Sequence, residues 1–199
     1  MIEYKKELSK KEKIDNILKC MKSIVNVDKC TQIVTLLESL VKNLVTAKYV
    51  MLWIYDPQRD ILCRKVDDEE ITTVKDRGLL GRAFAEKKAF FTNGVVHSSE
   101  YESSVDNIED QPIKDIIFLP ILDNNDKVKF VFQAMTGVNN IQQFVQSDVD
   151  TLNMLIDYIH NIELISCCGD EVEEEPTPEE KKEEEDLLDK IINIFRKPL

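Results

Sequence analysis

The sequence predicts an α+β fold, in which helices near the two ends of the domain flank an antiparallel sheet. Three observations carry this prediction. Apolar residues recur every three or four positions in residues 14–45 and again in residues 149–162, as they do in amphipathic helices. Segments rich in β-branched and aromatic residues lie between these helices. Short turn signals join neighbouring segments, and strands joined by tight turns are antiparallel.

Two helices are predicted ahead of the sheet. The first has a lysine-rich face and an apolar face, which consists of Ile14, Ile17, Leu18, Met21, Ile24 and Val25. Asp28 follows a short break and is a candidate N-cap for the second helix, because its carboxylate can accept a hydrogen bond from a free backbone N–H group. The apolar face of the second helix consists of Ile33, Val34, Leu37, Leu40, Val41, Leu44 and Val45.

The first part of the sheet is predicted as a hairpin followed by a helix and a single strand. The hairpin joins YVMLWIYD to ILCRKV through a turn that contains proline and aspartate. Gly78 and Gly81 mark the start of a short helix, and the strand AFFT follows it. A long polar loop, Asn93–Lys114, then leads to the second part of the sheet.

A second hairpin and a closing helix complete the predicted domain. The hairpin joins DIIFLPILD to KVKFVFQAMT through two asparagines and an aspartate, which are typical turn residues. Ser147 and Asp150 resemble a capping box at the start of the closing helix. The apolar face of that helix consists of Val149, Leu152, Leu155, Ile156, Ile159 and Ile162.

The end of the chain differs in composition from the rest. Residues 169–199 hold twelve acidic and five basic residues, and most of this stretch has too little apolar surface to offset the entropy lost on ordering. We therefore predict a disordered acidic linker over residues 167–186 and a short amphipathic helix over residues 187–199. The N-terminal helix occupies residues 1–28, and the domain that contains the sheet occupies residues 29–166.

The short C-terminal helix is predicted to bind another surface. Apolar residues recur at helical spacing over Leu187–Phe195, after a long polar stretch. The sequence does not decide whether this helix docks into the groove of a partner protein or packs back onto its own domain.

Charge and hydropathy exclude several classes of protein. The 199-residue chain has a formal net charge of −12, which argues against sequence-independent binding to nucleic acid. Its longest apolar runs are far shorter than the roughly 20 residues that span a membrane. The N-terminal segment lacks the apolar stretch of a signal peptide, so we expect a cytoplasmic protein without membrane attachment.

The cysteines give no sign of a metal centre. There are five of them, without a C-x-x-C pair and with only His97 and His160 as further soft ligands. We expect no metal site, and in a cytoplasmic chain we expect reduced thiols that pack as small apolar residues. The five are Cys20, Cys30, Cys63, Cys167 and Cys168.

Four stretches of the chain resemble a GAF domain, the small-molecule-sensing and dimerising module of many signalling proteins. The first hairpin resembles that of the family, and RGLLGRAFAEKKAFFTNGV resembles its Gly-rich turn, short helix and strand. The second hairpin resembles the signature hairpin of the family, with Pro120 at the place of its proline. FVQSDVDTLNMLIDYIHNIEL resembles its closing helix. The resemblance covers residues 30–165.

The resemblance implies a ligand pocket between one face of the sheet and Asn93–Lys114, which we call the roof loop. It places Phe91, His97, Tyr101 and Phe118 around a small ligand of unknown identity. It also implies that the first and closing helices pack on a partner subunit. Their apolar faces exceed what one face of the sheet needs to cover, so we predict a homodimer through these two helices. Where the family often has glycine, this chain has Phe130, which either fills part of the pocket or is an ordinary core residue.

The catalytic and ligand-binding motifs of individual GAF members are incomplete here. Members that bind cyclic nucleotides carry an Asn-Lys pair, a Phe and an Asp-Glu pair, whereas here Phe144 and Asp148 stand without the Lys and the Glu. We interpret Phe144 as a packing residue and Asp148 as a residue of the first helical turn. Bilin-binding members use a Cys next to a His, but His97 is followed by Ser98.

We therefore expect a regulatory or sensory protein, not an enzyme, that binds a small ligand and signals to a separate partner protein. The alternative is a ligand-free dimerisation and scaffold module with a C-terminal docking helix. A third hypothesis is reduction of free methionine sulfoxide, which in the family uses several cysteines around the pocket. Only Cys63 lies on a predicted core strand. A sensor requires a cavity of several hundred Å³ with converging polar groups, whereas a scaffold has a filled core.

Overall fold

The computed structural model describes residues 8–24, 30–45, 47–66 and 69–159 of the chain. The chain divides into two units, Met1–Cys168 and Gly169–Leu199, and every described residue lies in the first. The predictions for Asp28, His160 and the acidic C-terminal segment therefore lie outside the described residues. Within the described part, no helix is long and apolar enough to cross a membrane.

The elements alternate much as the sequence predicts. The helices are α1 Lys10–Ile24, α2 Cys30–Leu44, α3 Gly78–Glu86, α4 Ser103–Asp106 and α5 Gln146–Ile159. The strands are β1 Tyr49–Asp56, β2 Ile61–Val66, β3 Glu69–Val74, β4 Phe90–Thr92, β5 Ile113–Leu122 and β6 Val128–Gly137. A single 3₁₀ turn, Val95–His97, begins the roof loop.

The six strands form one antiparallel sheet in the order β3-β2-β1-β6-β5-β4. The two long central strands, β5 and β6, pair over most of their length, and β6 pairs with β1 on its other side. Strand β4 pairs with only three residues of β5, so it is a short edge strand. The predicted α+β fold with an antiparallel sheet is thus confirmed.

Helices cover both faces of the sheet. On one face, Trp53 of β1 and Val131 of β6 belong to a core that also contains Leu79 and Leu80 of α3 and Val105 of α4. Side chains alternate along a strand, so their neighbours Leu52 and Phe132 point to the opposite face. Helices α2 and α5 contact the sheet and each other, and no residue of α1, α2 or α5 belongs to the first core. We call the two sides the roof face and the helix face.

Helix α1 is fixed to the rest of the domain at several points. Its start is a complete capping box, which the sequence analysis missed: Ser9 Oγ accepts from the Glu12 N–H at 3.3 Å, and the Glu12 carboxylate accepts from the Ser9 N–H at 2.7 Å. Lys13 is almost completely buried and donates to Thr151 Oγ1 of α5 at 2.9 Å. Helix α1 therefore packs onto α2 and reaches α5 within one chain.

The apolar faces of α1 and α5 are used inside the domain. Ile17 of α1 and Leu155 of α5 have no exposed surface, and Ile24 and Ile159 have almost none. The exposed large apolar side chains among the described residues lie elsewhere, on β3, the roof loop and the segment between β6 and α5. Surplus apolar surface on α1 and α5 therefore gives no argument for a dimer, and the homodimer stays a prediction.

Several details differ from the predicted elements. Helix α4 and the 3₁₀ turn lie within the segment that was predicted as a polar loop. Strand β3 was not predicted, because its sequence EEITTV has two exposed glutamates at the edge of the sheet. Ser147 lies inside α5 rather than at its cap, since the helix begins at Gln146 and Asp148 Oδ2 accepts from the Val145 N–H at 2.9 Å. The interpretation of Asp148 as a carboxylate of the first turn is confirmed, and so is the packing of Phe144, which is 1% exposed.

Phe130 does not fill a pocket on the roof face. It pairs with Ile54 of β1 and Ile121 of β5, and directly opposed residues of antiparallel strands share a face. Val131, the next residue, belongs to the roof-face core, so Phe130 points to the helix face. The core interpretation of Phe130 is therefore correct, and the pocket interpretation is wrong.

Candidate functional site

The candidate site is the space between the roof face of the sheet and α3 and α4. Strands β1, β5 and β6 place side chains there in register: Trp53 lies opposite Val131, and Phe118 lies opposite Gln133. Of these, Trp53 is 1% exposed and the other three have no exposed surface. The floor of the site is therefore apolar except for one amide side chain, that of Gln133.

Gln133 connects the sheet to the roof loop. Its Oε1 accepts a hydrogen bond from Trp53 Nε1 at 2.7 Å, and its Nε2 donates to the backbone oxygen of Asp106 at 2.5 Å. A buried amide without partners would cost about 1–3 kcal/mol, so both bonds matter for stability. The polar groups of the floor are thus satisfied by the protein itself.

Asp106 ends α4 and is 1% exposed. Its Oδ2 accepts from the Leu79 N–H at 2.9 Å, and its Oδ1 accepts from the Leu80 N–H at 2.8 Å. Both N–H groups belong to the first turn of α3, where backbone donors have no partner within the helix. A third N–H, that of Glu102, donates to Oδ2 at 2.8 Å. The carboxylate therefore caps α3 from a different segment of the chain.

The environment of Asp106 has opposing effects on its protonation. Burial raises the pKa of its carboxyl group from 3.8 to about 6, while the hydrogen bonds from Leu79 and Leu80 act in the opposite direction. Helix α3 also places its partial positive charge at this end, which favours an anion.

The structure brings together only some of the four predicted ligand-binding residues. Phe118 lies in the floor, with its ring centroid 5.5 Å from that of Phe90. Phe91, however, pairs with Ile117 and shares the helix face with it. Tyr101 is half-buried against the roof-face core, and His97 is exposed. Ligand binding by these residues stays a prediction, but Phe91 lies on the opposite face from Phe118.

Two clefts occur near α3, and neither is lined by any of these four residues. One, of about 360 Å³, lies between the end of α3, β5 and α5, with Lys87, Pro120 and Val149 among its lining residues. The other, of about 660 Å³, follows the outer surface of α3 and includes Arg82 and Phe84. Both are open to solvent, and neither is lined by Trp53, Asp106 or Gln133.

The described cysteines lack the features of reactive thiols. Burial raises the pKa of the Cys20 thiol to about 11, and Cys20 donates to the backbone oxygen of Leu36. Burial is also the main cause that raises the pKa of Cys63, which donates to the backbone oxygen of Ile54. Reactive cysteines have lowered pKa values. The side chains of the other three cysteines lie outside the described residues.

The described residues bring no three His, Cys, Asp or Glu side chains together in an arrangement that could hold a metal ion.

The sequence analysis missed the three residues that organise the site. Gln133 carried a visible signal, since it is an amide in the middle of an apolar strand and on the same face as Val131. Trp53 lies on a predicted core strand, but the sequence does not indicate that its indole N–H donates to Gln133. Asp106 is one of many acidic residues in this chain, and nothing in the sequence distinguishes it from its exposed neighbours.

Comparison with known proteins gives a family and a fold. A family model described as GAF domain matches residues 33–162. Comparison with curated proteins gave no match.

Solved structures resemble the chain over most of its length. The free methionine-R-sulfoxide reductase from Neisseria meningitidis, in complex with its substrate, is 12% identical with a TM-score of 0.63, covering 84% of this chain and 96% of the other. The GAF domain from the Acinetobacter phosphoenolpyruvate-protein phosphotransferase is 10% identical with a TM-score of 0.63. The match covers 80% of this chain and 95% of the other. The reduced form of fRMsr of Staphylococcus aureus is 16% identical with a TM-score of 0.55. The match covers 72% of this chain and 90% of the other.

At these identities the likeness is one of fold alone. GAF domains are in general sensory or regulatory modules, although the reductases among the similar structures are enzymes. The family model spans well over half of the chain and coincides with the sheet and its flanking helices. The chain belongs to the GAF domain family.

Proposed function

We propose that this chain is a non-catalytic regulatory GAF module that acts through contacts with other proteins and holds no small molecule beneath its roof loop. One observation carries the proposal: the space between roof loop and sheet is occupied by the protein's own side chains. Asp106, Gln133 and Trp53 are hydrogen-bonded to one another or to the adjoining backbone, and each is at most 1% exposed.

A ligand-sensing module needs different properties at this place. Ligand sites are cavities of about 300–1,000 Å³ whose few polar groups are directed at the ligand. Here the polar groups of the site bind one another, and neither cleft near α3 is lined by Trp53, Asp106 or Gln133. A small ligand would have to displace α4 and leave the buried groups of Asp106 and Gln133 to find new partners.

Reduction of methionine sulfoxide is the enzymatic alternative, because reductases are among the proteins with a similar fold. That chemistry requires a nucleophilic thiolate. The raised pKa values of Cys20 and Cys63 and their hydrogen bonds to backbone oxygens support the non-catalytic proposal.

The segment between β6 and α5 supports action through protein contacts. Val138, Ile141 and Val145 are each more than half exposed there. The segment is nevertheless anchored, because Asn93 exchanges two hydrogen bonds with the backbone of Phe144, at 2.9 and 3.2 Å. Contiguous apolar patches on a protein surface mark interaction sites, and three exposed apolar side chains within eight residues of an anchored segment support such a site here.

The remaining parts of the proposal concern the oligomeric state, the partner and the location of the protein in the cell. We propose a homodimer, a separate signalling protein as partner, and action in the cytoplasm. Sedimentation of the full chain tests the dimer, and a monomer at micromolar concentrations would contradict it.

Native mass spectrometry of the purified full chain tests the proposed function. We expect the mass of the polypeptide alone or of its oligomer, without a retained small molecule, and no turnover of free methionine sulfoxide. A stoichiometric small molecule that remains bound to the folded protein would favour the sensor instead. Turnover that is lost in Cys63→Ser would favour the reductase.

A further inference from the structure

The contacts of Asp106 join three parts of the domain at one residue. Its carboxylate accepts from two N–H groups of α3, and its backbone oxygen accepts from Gln133 of β6. Its own segment contributes the third donor to the carboxylate, the N–H of Glu102. One residue therefore holds α3, α4 and the sheet together.

The carboxylate is held as a bound anion would be held. Each oxygen accepts at least one backbone hydrogen bond, at 2.8–2.9 Å, and no described lysine or arginine forms an ion pair with it. Glu102 forms an ion pair with Arg77, but this pair is partly exposed to solvent and contributes little. Backbone N–H groups and the N-terminal end of α3 thus provide the compensation for the buried charge.

The backbone of α3 leaves room for this group. Gly78 has φ +67°, and a Cβ atom there would lie 2.6 Å from Asp106 Oδ2 and 2.8 Å from Oδ1. Real Cβ atoms do not approach oxygen so closely. Glycine at this position therefore serves both the left-handed backbone conformation and the close approach of the carboxylate.

We infer that Asp106 is an internal ligand: its side chain occupies a carboxylate site between α3 and the roof loop and fixes the roof loop to α3 without any external molecule. This inference deepens the proposed function, on which it rests, because it identifies what fills the site in place of a small ligand. Burial raises the pKa of Asp106, so the hydrogen bonds from α3 offset only part of the cost of enclosing the charge.

The inference predicts chemical rescue. In the full-length Asp106→Ala variant, the donors of Leu79, Leu80 and Glu102 lose their acceptor, and a vacant space of carboxylate size remains. We expect a lower melting temperature and faster hydrogen exchange at the amides of Leu79 and Leu80. Sodium formate should raise the melting temperature of this variant by several degrees and slow that exchange, because formate binds only the folded state.

Matched controls test whether the rescue requires a carboxylate. Sodium chloride at the same ionic strength and formamide at the same concentration should not rescue Asp106→Ala. Formate should leave the wild type and Asp76→Ala unchanged, since Asp76 is an exposed acidic residue two positions before α3. Equal effects of formate and chloride, or no effect of formate on folded Asp106→Ala, would overturn the inference.

A second variant covers the case in which Asp106→Ala does not fold. Asp106→Asn keeps the shape of the side chain but directs an amide N–H group at one backbone donor, so we expect faster exchange at Leu79 or Leu80. If Asp106→Asn matches the wild type in stability and in the exchange of both amides, the carboxylate is not required and the inference is wrong. The proposed function is tested separately, by whether the wild type retains a small molecule or turns over free methionine sulfoxide.

Discussion

Substitution of Gly78 by alanine tests the packing of α3 against Asp106. An L-residue in the left-handed conformation of Gly78 costs about 1–2 kcal/mol. The new Cβ would also lie 2.6 Å from Asp106 Oδ2, so the carboxylate must move and its hydrogen bonds to α3 must weaken. A hydrogen bond to a charged group contributes about 1.5–3 kcal/mol. We therefore expect Gly78→Ala to lower the free energy of unfolding by about 2.5–5 kcal/mol.

Gly94 provides the matched control for this substitution. It has nearly the same backbone conformation, with φ +63°, but a Cβ atom added there would meet only His97 Cδ2, at 3.7 Å, which is an ordinary contact. Gly94→Ala should therefore cost only the conformational term, about 1–2 kcal/mol. Both values can be measured by urea unfolding of the full chain at neutral pH.

A double-mutant cycle identifies the origin of the difference. In the background of Asp106→Ala, the added Cβ meets no carboxylate, so Gly78→Ala should cost about as much as Gly94→Ala. If Gly78→Ala costs no more than Gly94→Ala in the wild type, the close approach of Asp106 to α3 is not a feature of the folded protein.

Three further predictions concern protonation, thiol reactivity and the C-terminal segment. Because the pKa of Asp106 is raised in the folded state, ionisation of this carboxyl group costs more there than in the unfolded chain. The free energy of unfolding of the wild type should therefore fall relative to that of Asp106→Asn as the pH rises from about 4 to 6, by at most about 3 kcal/mol in urea unfolding, and a constant difference contradicts this. Iodoacetamide should label Cys20 and Cys63 slowly near neutral pH, since burial raises both pKa values; rapid labelling of the folded protein refutes their assignment as inert thiols. Deletion of residues 187–199 should leave the melting temperature unchanged if that segment docks on a partner, and a clear decrease would instead mean that it packs on its own domain.

The sheet could be predicted from sequence because its signals are local. The hairpin of β5 and β6 has long apolar strands around a short turn of typical turn residues, and its pairing follows from proximity along the chain. Strand β3 escaped prediction because an edge strand tolerates glutamates at exposed positions, which lowers its apolar signal. Its identity depends on the register with β2, which the sequence of β3 alone does not show.

The site could be predicted only in part, because its contacts are not local. The strand AFFT contains two phenylalanines that must face opposite sides of the sheet, and the sequence does not say which one faces the roof loop. The register shows that Phe90 lies opposite Phe118, whereas Phe91 lies opposite Ile117. Asp106 meets Leu79 across 27 positions of the chain, and no spacing rule connects them.

The indole N–H of Trp53 offers the most direct test of the filled site, because this chain has a single tryptophan. It donates to Gln133 beneath the roof loop and is shielded from solvent. In a ¹H–¹⁵N spectrum of the full chain, we expect one indole signal that exchanges slowly with water and does not shift when free methionine sulfoxide or a mixture of cellular metabolites is added. An indole proton that exchanges rapidly, or a saturable shift on such additions, would show an open ligand site and would contradict the proposed function.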